Sequence, residues 1–453
     1  MSPSDSGVTN IVALADLISS AVKDVVAEYS AAGVPMPSLS STVPGPFDTP
    51  EATPFKLAKA IRVIDAACAQ LMFSVGSPGH VITNKCYGFQ EPACMLVATD
   101  AKIADHLLNK PEGAHVDELS RKTGIDAGKL GRVLRLLATK HCFSEVAPNV
   151  FANNRLSMKL LSTDPVSSLV GHITDEPGKA CTALNETLKD SETTSSVLPQ
   201  GSAFKRAHGC TIFEFYASPE QNERAQRFGQ AMVGWGEVTG KGMLPKVYPW
   251  GSLPENTVVC DVGGGNGHAT IELLKGFPQL KIVVQDLPGV AEQGKEYLHK
   301  EVMDQSLKKR VQFVPADFFT DSVVQDCDIY YIRHVLHDWP TGECKKILDN
   351  VRKAVKPSSR VFIHEFVLQH IVRDSAFEGK FEKAPEPLLP NFGIGKVRPY
   401  AQDINMMVCL NSQERTLPQF IEMGARSGFE FVKLWDHGEV GLMEFAPSAS
   451  YTG

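Results

Sequence analysis

Several patterns that define common protein classes are missing from this sequence. Its ten cysteines are scattered and none forms a C-x-x-C pair, so we predict neither a zinc ribbon nor a dithiol redox motif. In a chain of 453 residues they do not indicate a disulfide framework, and a reducing, cytoplasmic compartment is expected. No apolar run approaches the length of a membrane span, and residues 1–6 lack the positive charge of a secretory signal. We therefore expect no membrane association.

The charge balance is slightly acidic, with 45 lysines and arginines against 52 aspartates and glutamates and a formal net charge of −7. Phosphate contacts need clustered positive charge, so general nucleic-acid binding is not expected. Hydrophobic residues make up 43% and charged residues 21% of the chain. This composition excludes wholesale disorder and predicts a globular protein whose length fits two or three domains.

The N-terminal region contains two helical patterns. Apolar residues recur at helical spacing between residues 8 and 30 and again between residues 57 and 72, which predicts two amphipathic helices. Residues 35–54, between them, are rich in proline, serine and threonine and are interpreted as a linker. Leading helices of this kind are buried either by a partner or by their own chain, and the pattern alone does not decide between these possibilities.

Residues 93–156 are predicted to form a compact winged-helix unit. Two short helices, separated by a Gly-Ile-Asp turn, are followed by two alternating segments typical of a hairpin. A winged helix can bind DNA, and the second helix offers a modest basic set: Lys129, Arg132, Arg135 and Lys140. Because the whole chain is acidic, we favour a structural or dimerising module.

From residue 257 onward, short apolar runs alternate with helical segments. The runs predict strands at residues 257–262, 281–286, 311–314, 328–332 and 361–365. This alternation predicts an α/β fold, a Rossmann-like doubly wound parallel sheet with helices on both faces. Runs at residues 429–434 and 441–445 predict a C-terminal antiparallel hairpin. The proline-rich residues 366–400 predict a long irregular loop of the kind that forms lids.

A glycine-rich loop (DVGGGNG, residues 261–267) follows the first of these strands. Glycine lets the backbone turn tightly and approach a ligand, and Asp286 ends the next strand, where an acid can bind ribose hydroxyls. This order indicates a cofactor that contains adenosine. His268 stands where the dinucleotide fingerprint has its third glycine, and Asp261 beside the loop suits a cationic amino-acid tail. The pattern therefore favours S-adenosylmethionine over NAD.

A polar cluster (RHVLHDWP, residues 333–340) follows the fourth strand, at the edge where ligands bind in such sheets. A histidine there can act as a general base near neutral pH. Spacing alone does not choose between His334 and His337. Glu365 ends the fifth strand in the same layer, and we expect it to orient the imidazole.

Two other residues of this cluster allow further interpretations. Trp339 offers a flat face to adenine. Asp338 either belongs to the site or caps the helix that follows Pro340, and the sequence supports both equally.

Together these motifs resemble the class I S-adenosylmethionine-dependent O-methyltransferases of the caffeate and flavonoid type, most closely their fungal secondary-metabolism branch. The segments that carry the resemblance are residues 261–267, 285–288 (QDLP), 316–319 (ADFF), 337–339 (HDW), 365 and 411–416 (NSQERT). The similarity is strong over about the last 200 residues and extends through the winged-helix region. It implies that the winged helix serves dimerisation and part of the acceptor pocket, and that the leading helices belong to an intertwined homodimer.

The resemblance also implies roles for individual residues. His337 matches the catalytic histidine that takes the proton from the substrate hydroxyl, and Glu365 and Glu414 match two acids that flank and orient it. The implied cofactor positions are Gly263, Gly265, Asp286 on the ribose, Asp317 and Phe318 at the adenine, and Arg333, where plant members usually have a lysine. No metal ion is implied, and the second ligand is a small phenolic acceptor.

These observations predict an enzyme that transfers a methyl group from S-adenosylmethionine to a hydroxyl of a small aromatic or polyketide-like acceptor. The predicted domains are residues 1–92 (helices and linker), 93–165 (winged-helix dimerisation module), 166–250 (connector and acceptor-pocket region) and 251–453 (cofactor domain). The candidate acceptor-pocket residues, for each of which ordinary core packing is the favoured interpretation, are Phe228, Met232, Trp235, Met406 and Met407.

Three other functions remain open at the level of sequence. The first is a methyltransferase-fold enzyme of secondary metabolism that catalyses a non-methylating pericyclic or dehydration reaction. The second is a winged-helix regulator that senses a small molecule. The third is an NAD dehydrogenase.

Overall fold

The structure is a computed structural model and describes residues 3–240, 242–373, 379–436 and 439–451. Along the chain it has an N-terminal helical region, a winged-helix unit, connecting helices and a mixed sheet covered by helices on both faces. The α/β class predicted from the sequence is confirmed.

The N-terminal region is helical, as the apolar spacing predicted. Its helices are α1 (Pro3–Ala31), α2 (Phe55–Val75), α3 (Pro78–Cys86), α4 (Gln90–Asp100) and α5 (Ile103–His106). α1 packs along α2 because their apolar stripes face each other, and Leu14 and Leu57 are fully buried between them. Residues 32–54 connect the two helices without a helix or strand, as expected for a linker.

The winged-helix unit predicted from the sequence is present. Its elements are β1 (Ala114–His115), α6 (Val116–Thr123), α7 (Ala127–Thr139), β2 (Ser144–Ala147) and β3 (Val150–Ala152). β3 pairs with both other strands, which gives the order β1-β3-β2. On α7, the Arg135 guanidinium donates to Glu145 and Asn149 of the hairpin. This cation of the basic set therefore stabilises the unit itself.

A group of connecting helices leads from the winged-helix unit to the sheet. They are α8 (Pro165–Thr182), α9 (Leu184–Lys189), α10 (Ala203–His208), α11 (Ile212–Ala217), α12 (Asn222–Thr239) and α13 (Leu244–Val247). α8 and α12 pack along each other. Arg227 of α12 binds the carboxylates of Asp175 and Glu176 on α8. Because both acids are buried, this pairing compensates the cost of removing their charges from water.

The sheet contains every strand that the sequence predicted. Its strands are β4 (Val258–Val262), β5 (Lys281–Asp286), β6 (Val311–Pro315), β7 (Ile329–Arg333), β8 (Arg360–Leu368), β9 (Arg415–Thr416), β10 (Phe429–Asp436) and β11 (Val440–Pro447). The order is β10-β11-β8-β7-β4-β5-β6, and β4 to β8 run parallel. The β10–β11 hairpin joins β8 antiparallel. The short β9, which the sequence did not predict, pairs with the end of β8.

Helices cover both faces of the sheet. They are α14 (His268–Gly276), α15 (Pro288–Glu301), α16 (Gln305–Lys308), α17 (Thr341–Ala354), α18 (Val397–Leu410) and α19 (Leu417–Arg426). Successive strand residues point to opposite faces, so Tyr330 packs with α17 and α19, whereas Tyr331 packs with α14 and α15. Both tyrosines are fully buried, as expected for a sheet with two covered faces.

The proline-rich irregular segment is shorter than the sequence predicted. β8 continues to Leu368, because Val367 and Leu368 pair with β9, and α18 begins at Val397. Residues 374–378 of the predicted loop lie outside the described residues.

The described part of this segment packs on the N-terminal helices. Arg62 of α2 places Nη1 3.1 Å from Oε2 of Glu382 and lies over the Phe392 ring. Gln70 of α2 donates to the Pro387 carbonyl at 2.9 Å. The loop that follows β8 is thus attached to α2 by a buried ion pair, a ring contact and a hydrogen bond.

Disulfides do not contribute to this fold, since all ten cysteines are free thiols. Within the described ranges, no helix combines the length and the apolar character that crossing a membrane requires.

Replacing Arg62 with alanine should release residues 379–392 from α2. The Arg62 and Glu382 side chains are only 10% and 13% exposed, so the variant leaves a largely buried carboxylate with only the half-exposed Lys59 ammonium beside it, at a cost of about 3 kcal/mol. We expect faster amide exchange within 379–392, measured by mass spectrometry, with unchanged exchange in β4.

A matched control is Lys59→Ala, which removes a half-exposed cation 3.4 Å from the same carboxylate. Its effect should stay below about 1 kcal/mol. Equal exchange of residues 379–392 in wild type and Arg62→Ala would contradict the attachment.

Candidate active site

The candidate site lies where the strand order of the sheet reverses. β4 has β5 on one side and β7 on the other, so the chain leaves β4 and β7 in opposite directions at the same edge. A crevice opens at such a point beyond the carboxyl ends of the strands. The glycine loop after β4 and the histidine cluster after β7 both border it.

Residues 263–265 of the glycine loop carry no side chains, so a ligand can come close to the backbone at this point. Gly263 has φ 70°, and a Cβ there would lie 2.9 Å from Val335 and 3.3 Å from Phe318. A Cβ on Gly264 would lie 2.5 Å from the carboxyl carbon of Asp261. Glycine is therefore required at both positions, and the loop presents bare backbone to the crevice.

Asp286 ends β5 and holds the glycine loop. Its Oδ2 accepts the Gly265 N–H at 2.8 Å, and its Oδ1 accepts the Leu287 N–H at 2.7 Å. Burial raises the pKa of Asp286, and these two backbone bonds oppose the shift. Burial also raises the pKa of the neighbouring Asp261 to about 7, although the Thr270 hydroxyl donates to it.

Aromatic rings border the crevice beside the glycine loop. Phe318 follows β6 and meets Phe319 edge to face, with ring centroids 4.8 Å apart. Trp339 packs edge to face on Phe319 at 4.7 Å. Asp317 accepts the Phe319 N–H at 2.8 Å, and Asn350 of α17 donates to the carbonyls of Phe318 and Phe319. This loop is therefore fixed from both sides.

Arg333 is the last residue of β7 and carries a buried donor. Its Nε is inaccessible to solvent and has no hydrogen-bond partner within the described part of the chain. A buried polar group of this kind is costly unless something binds it. Arg333 is thus suited to hold an anionic group at the crevice.

His337 is the better candidate of the two histidines for a general base. It is 6% exposed, and its Nδ1 lies 2.7 Å from Oε1 of Glu414 and 3.7 Å from Oε2 of Glu365. Oε1 of Glu365 accepts the N–H groups of Val335 and Leu336 at 3.0 Å each. The structure therefore brings together the residue that the family resemblance implies as the base and the two acids that it implies beside it.

The charges around His337 determine its basicity. Burial alone lowers its pKa, but the carboxylates of Glu365, Glu414 and Asp338 outweigh burial and raise the pKa to about 10. Burial raises the pKa of Glu414, which His337 opposes.

Asp338 belongs to the site, and the helix-cap interpretation is wrong. The residue before α17 is Pro340, and no side chain caps that helix. Oδ1 of Asp338 lies instead 3.5 Å from Nε2 of His337. Burial raises the pKa of Asp338 to about 6, and His337 partly opposes this.

Sequence reasoning gave a role only to Glu414 within the segment 411–416, but two neighbours also hold the site. Arg415, 2% exposed, donates to the carbonyls of Leu336 and Trp339 at 2.7 Å each. The Ser412 hydroxyl donates to the His337 carbonyl. The two residues lie within a motif that the sequence singled out, but no local pattern shows which carbonyls they bind.

The predicted acceptor-pocket residues separate into two groups. Trp235 contacts Phe366, with ring centroids 5.9 Å apart, and Phe366 contacts His334 at 5.7 Å. Trp235 therefore connects to the histidine cluster. By contrast, the half-buried Phe228 stacks on Tyr216 of α11 at 4.7 Å, and Met406 belongs to the core, buried in an apolar cluster with helices α8 to α11.

Comparison with known proteins identifies the family. Residues 186–383 match the model of the O-methyltransferase domain, and residues 84–163 match that of the O-methyltransferase dimerisation domain. The 3-O-methyltransferase 2 of Phanerochaete chrysosporium is 50% identical over 444 residues, which cover 98% of this chain and 99% of that protein. The chain therefore belongs to the O-methyltransferase family, and the enzyme class predicted from the sequence is confirmed.

Solved structures share the fold at lower identity. The mitomycin 7-O-methyltransferase MmcR is 22% identical, with a TM-score of 0.66, and covers 82% of this chain and 98% of its own. A structure described as a pericyclic reaction enzyme is 21% identical, with a TM-score of 0.69, and covers 87% of this chain and 95% of its own. The same architecture thus carries more than one kind of chemistry.

Replacing Arg415 with alanine should destabilise the segment that carries His337. The carbonyls of Leu336 and Trp339 each lose a hydrogen bond from a charged donor, worth about 1.5–3 kcal/mol, and keep only the weak Cys344 thiol and, for Leu336, the Trp339 N–H. We expect the free energy of unfolding in urea to fall by about 2–5 kcal/mol, with a smaller loss in Arg415→Lys, which keeps the charge.

The control variant is Arg426→Ala on α19, whose side chain is 61% exposed and pairs with Glu422 at the surface. Its loss should stay within about 1 kcal/mol. A similar loss in Arg415→Ala and Arg426→Ala would show that the buried bonds of Arg415 do not hold the segment.

Proposed function

We propose that this enzyme transfers the methyl group of S-adenosylmethionine to a phenolic hydroxyl of a small aromatic or polyketide-like acceptor, with His337 as general base. The observation that carries the proposal is the 2.7 Å contact between Nδ1 of His337 and Glu414. This contact fixes the proton of the imidazole on Nδ1 and leaves the lone pair of Nε2, which lies 3.5 Å from Oδ1 of Asp338, to accept another.

The residues of the crevice fit S-adenosylmethionine. The backbone at Gly263 and Gly265 would lie along the cofactor. Asp286 would accept hydrogen bonds from the ribose hydroxyls, and the buried Nε of Arg333 would bind the carboxylate of the cofactor. The loop of Asp317 and Phe318 would bind the adenine. When bound, S-adenosylmethionine supplies an electrophilic methyl group on a positively charged sulfur.

His337 removes the proton of the acceptor hydroxyl at Nε2. A phenol has a pKa near 10, and the pKa of His337 is raised to about 10, so the transfer of the proton is nearly balanced. The imidazolium that forms lies between Glu365 and Glu414, whose carboxylates stabilise its charge. A positioned base of this kind contributes about 10²–10⁴-fold in rate.

We also propose that the enzyme works as a homodimer and does not bind nucleic acid. The match to a dimerisation domain supports the first point. Large apolar side chains exposed on the N-terminal helices would be covered by a second copy; they include Val12, Val26, Met72, Val75 and Phe89. The use of Arg135 within the winged-helix unit supports the second point.

Methyl transfer is favoured over the non-methylating alternative by the site itself. His337 provides the base that deprotonation requires, since its ring is paired with Glu414 and lies near Glu365. The name of the 50% identical relative, a 3-O-methyltransferase, supports a hydroxyl acceptor. Consumption of acceptor without formation of S-adenosylhomocysteine would favour the alternative.

Asp286→Ala should weaken the binding of S-adenosylmethionine. The variant loses a carboxylate proposed to accept two hydrogen bonds from the ribose and releases the Gly265 N–H, so we expect the dissociation constant to rise by about 10–100-fold, measured by calorimetry. Asp304→Ala, which removes an exposed helix cap at the start of α16, should bind normally. Unchanged affinity in Asp286→Ala would remove this residue from the cofactor site.

His337→Ala should abolish most turnover without loss of cofactor affinity. We expect kcat to fall by about 10²–10⁴-fold, measured as S-adenosylhomocysteine formed with a panel of phenols. In wild type, kcat/KM should rise with pH, because only the neutral imidazole accepts a proton and its pKa is raised. Turnover of His337→Ala at the wild-type rate would exclude the general-base role.

A further inference from the structure

A second histidine, His334, lies beside the proposed base and has no assigned role. It follows β7 with a left-handed backbone (φ 50°), and its ring stacks on that of His337, with centroids 5.3 Å apart and planes 29° apart. Both of its ring nitrogens are inaccessible to solvent and have no hydrogen-bond partner among the described residues. Ring nitrogens that are inaccessible and have no hydrogen-bond partner are rare and require an explanation.

The His334 ring lies close to a carboxylate oxygen of Glu365. Nδ1 of His334 lies 3.5 Å from Oε2 of Glu365, and Nδ1 of His337 lies 3.7 Å from the same oxygen. Oε2 has no hydrogen-bond partner in the described part of the chain, whereas Oε1 already accepts two backbone N–H groups. One carboxylate oxygen therefore lies between two imidazoles.

The two histidines do not compete equally for this oxygen. The Nδ1 proton of His337 is taken by Glu414 at 2.7 Å, so Oε2 of Glu365 is left for His334. The gap of 3.5 Å exceeds a good hydrogen bond by a few tenths of an ångström, so the bond requires a shift of the ring by that amount. Contacts of this kind are often long before the ligands bind.

The surroundings keep His334 neutral. Burial first, and then the positive charges of Arg333, His337 and His268, lower the pKa of His334 well below its usual value. Phe366 covers a further side of the ring. A neutral imidazole has one N–H, and the position of Oε2 directs that proton to Nδ1.

We propose that His334 is a positioning residue for the general base. It donates its Nδ1–H to Glu365 and thereby weakens the electrostatic attraction between that carboxylate and the protonated ring of His337. The proposal rests on the proposed role of His337. A hydrogen bond to Oε2 draws carboxylate charge away from His337, while Glu414 and Asp338 continue to face that ring. Loss of the bond should make His337 retain its proton more strongly, so that less of the base is neutral at a given pH.

The test compares His334→Phe with His334→Asn. Phenylalanine keeps a ring beside His337 and Phe366 but donates nothing, whereas asparagine keeps an N–H donor and tolerates the left-handed backbone. In His334→Phe we expect the rising limb of the plot of kcat/KM against pH to shift to higher pH by about one pH unit. The value of kcat/KM should then be about tenfold lower at pH values below the limb and unchanged on the plateau. His334→Asn should return most of this shift.

A second readout does not depend on activity. The pKa of His337 is followed by NMR of labelled histidine rings, with the signal assigned from His337→Asn, and it should rise in His334→Phe. In a Glu365→Gln background the same substitution should have no further effect, since the coupling runs through that carboxylate.

The outcomes separate the two proposals. An unchanged pKa of His337 in His334→Phe, a shift that persists in the Glu365→Gln background, or an equal loss of rate at every pH would each overturn the positioning role. A raised pKa without any movement of the rate limb supports the role of His334 and overturns instead the role of His337 as base. Melting temperatures of both variants show whether the fold is retained.

Discussion

The site depends on two carboxylates that are buried next to one imidazole. Glu365 is 0% and Glu414 is 3% exposed, and burying a carboxylate is costly unless hydrogen bonds and opposite charge compensate it. Two backbone N–H groups serve Glu365, and His337 serves Glu414. The need for this compensation therefore fixes the turn after β7, and with it the orientation of the imidazole.

Strand β8 links the site to the N-terminal helices. β8 carries Glu365, and the irregular segment after it is attached to α2 through the buried pair of Arg62 and Glu382. The β9 pairing at the end of β8 brings in Arg415, which holds the carbonyls beside His337. A single strand thus connects the base, its supporting backbone and the helices beside the dimerisation domain.

The fold alone does not define the chemistry, because a structure described as a pericyclic reaction enzyme shares it. The chemistry depends instead on the groups at the carboxyl ends of the strands: a bare glycine loop, an arginine whose buried Nε has no hydrogen-bond partner among the described residues, and an imidazole among three acids. These groups are the ones to which the proposed roles in binding S-adenosylmethionine and in deprotonating a phenolic acceptor are assigned.

The sequence by itself determined the layered α/β fold and the winged helix, because strand and helix periods are local properties. It also placed His337, Glu365 and the glycine loop at strand ends. Its spacing did not choose between His334 and His337, or between the two roles of Asp338, since residues so close along the chain have the same local pattern, and only the family resemblance implied His337. Which imidazole pairs with a distant acid is visible only in the tertiary structure, because packing brings Glu414, 77 positions away, against His337.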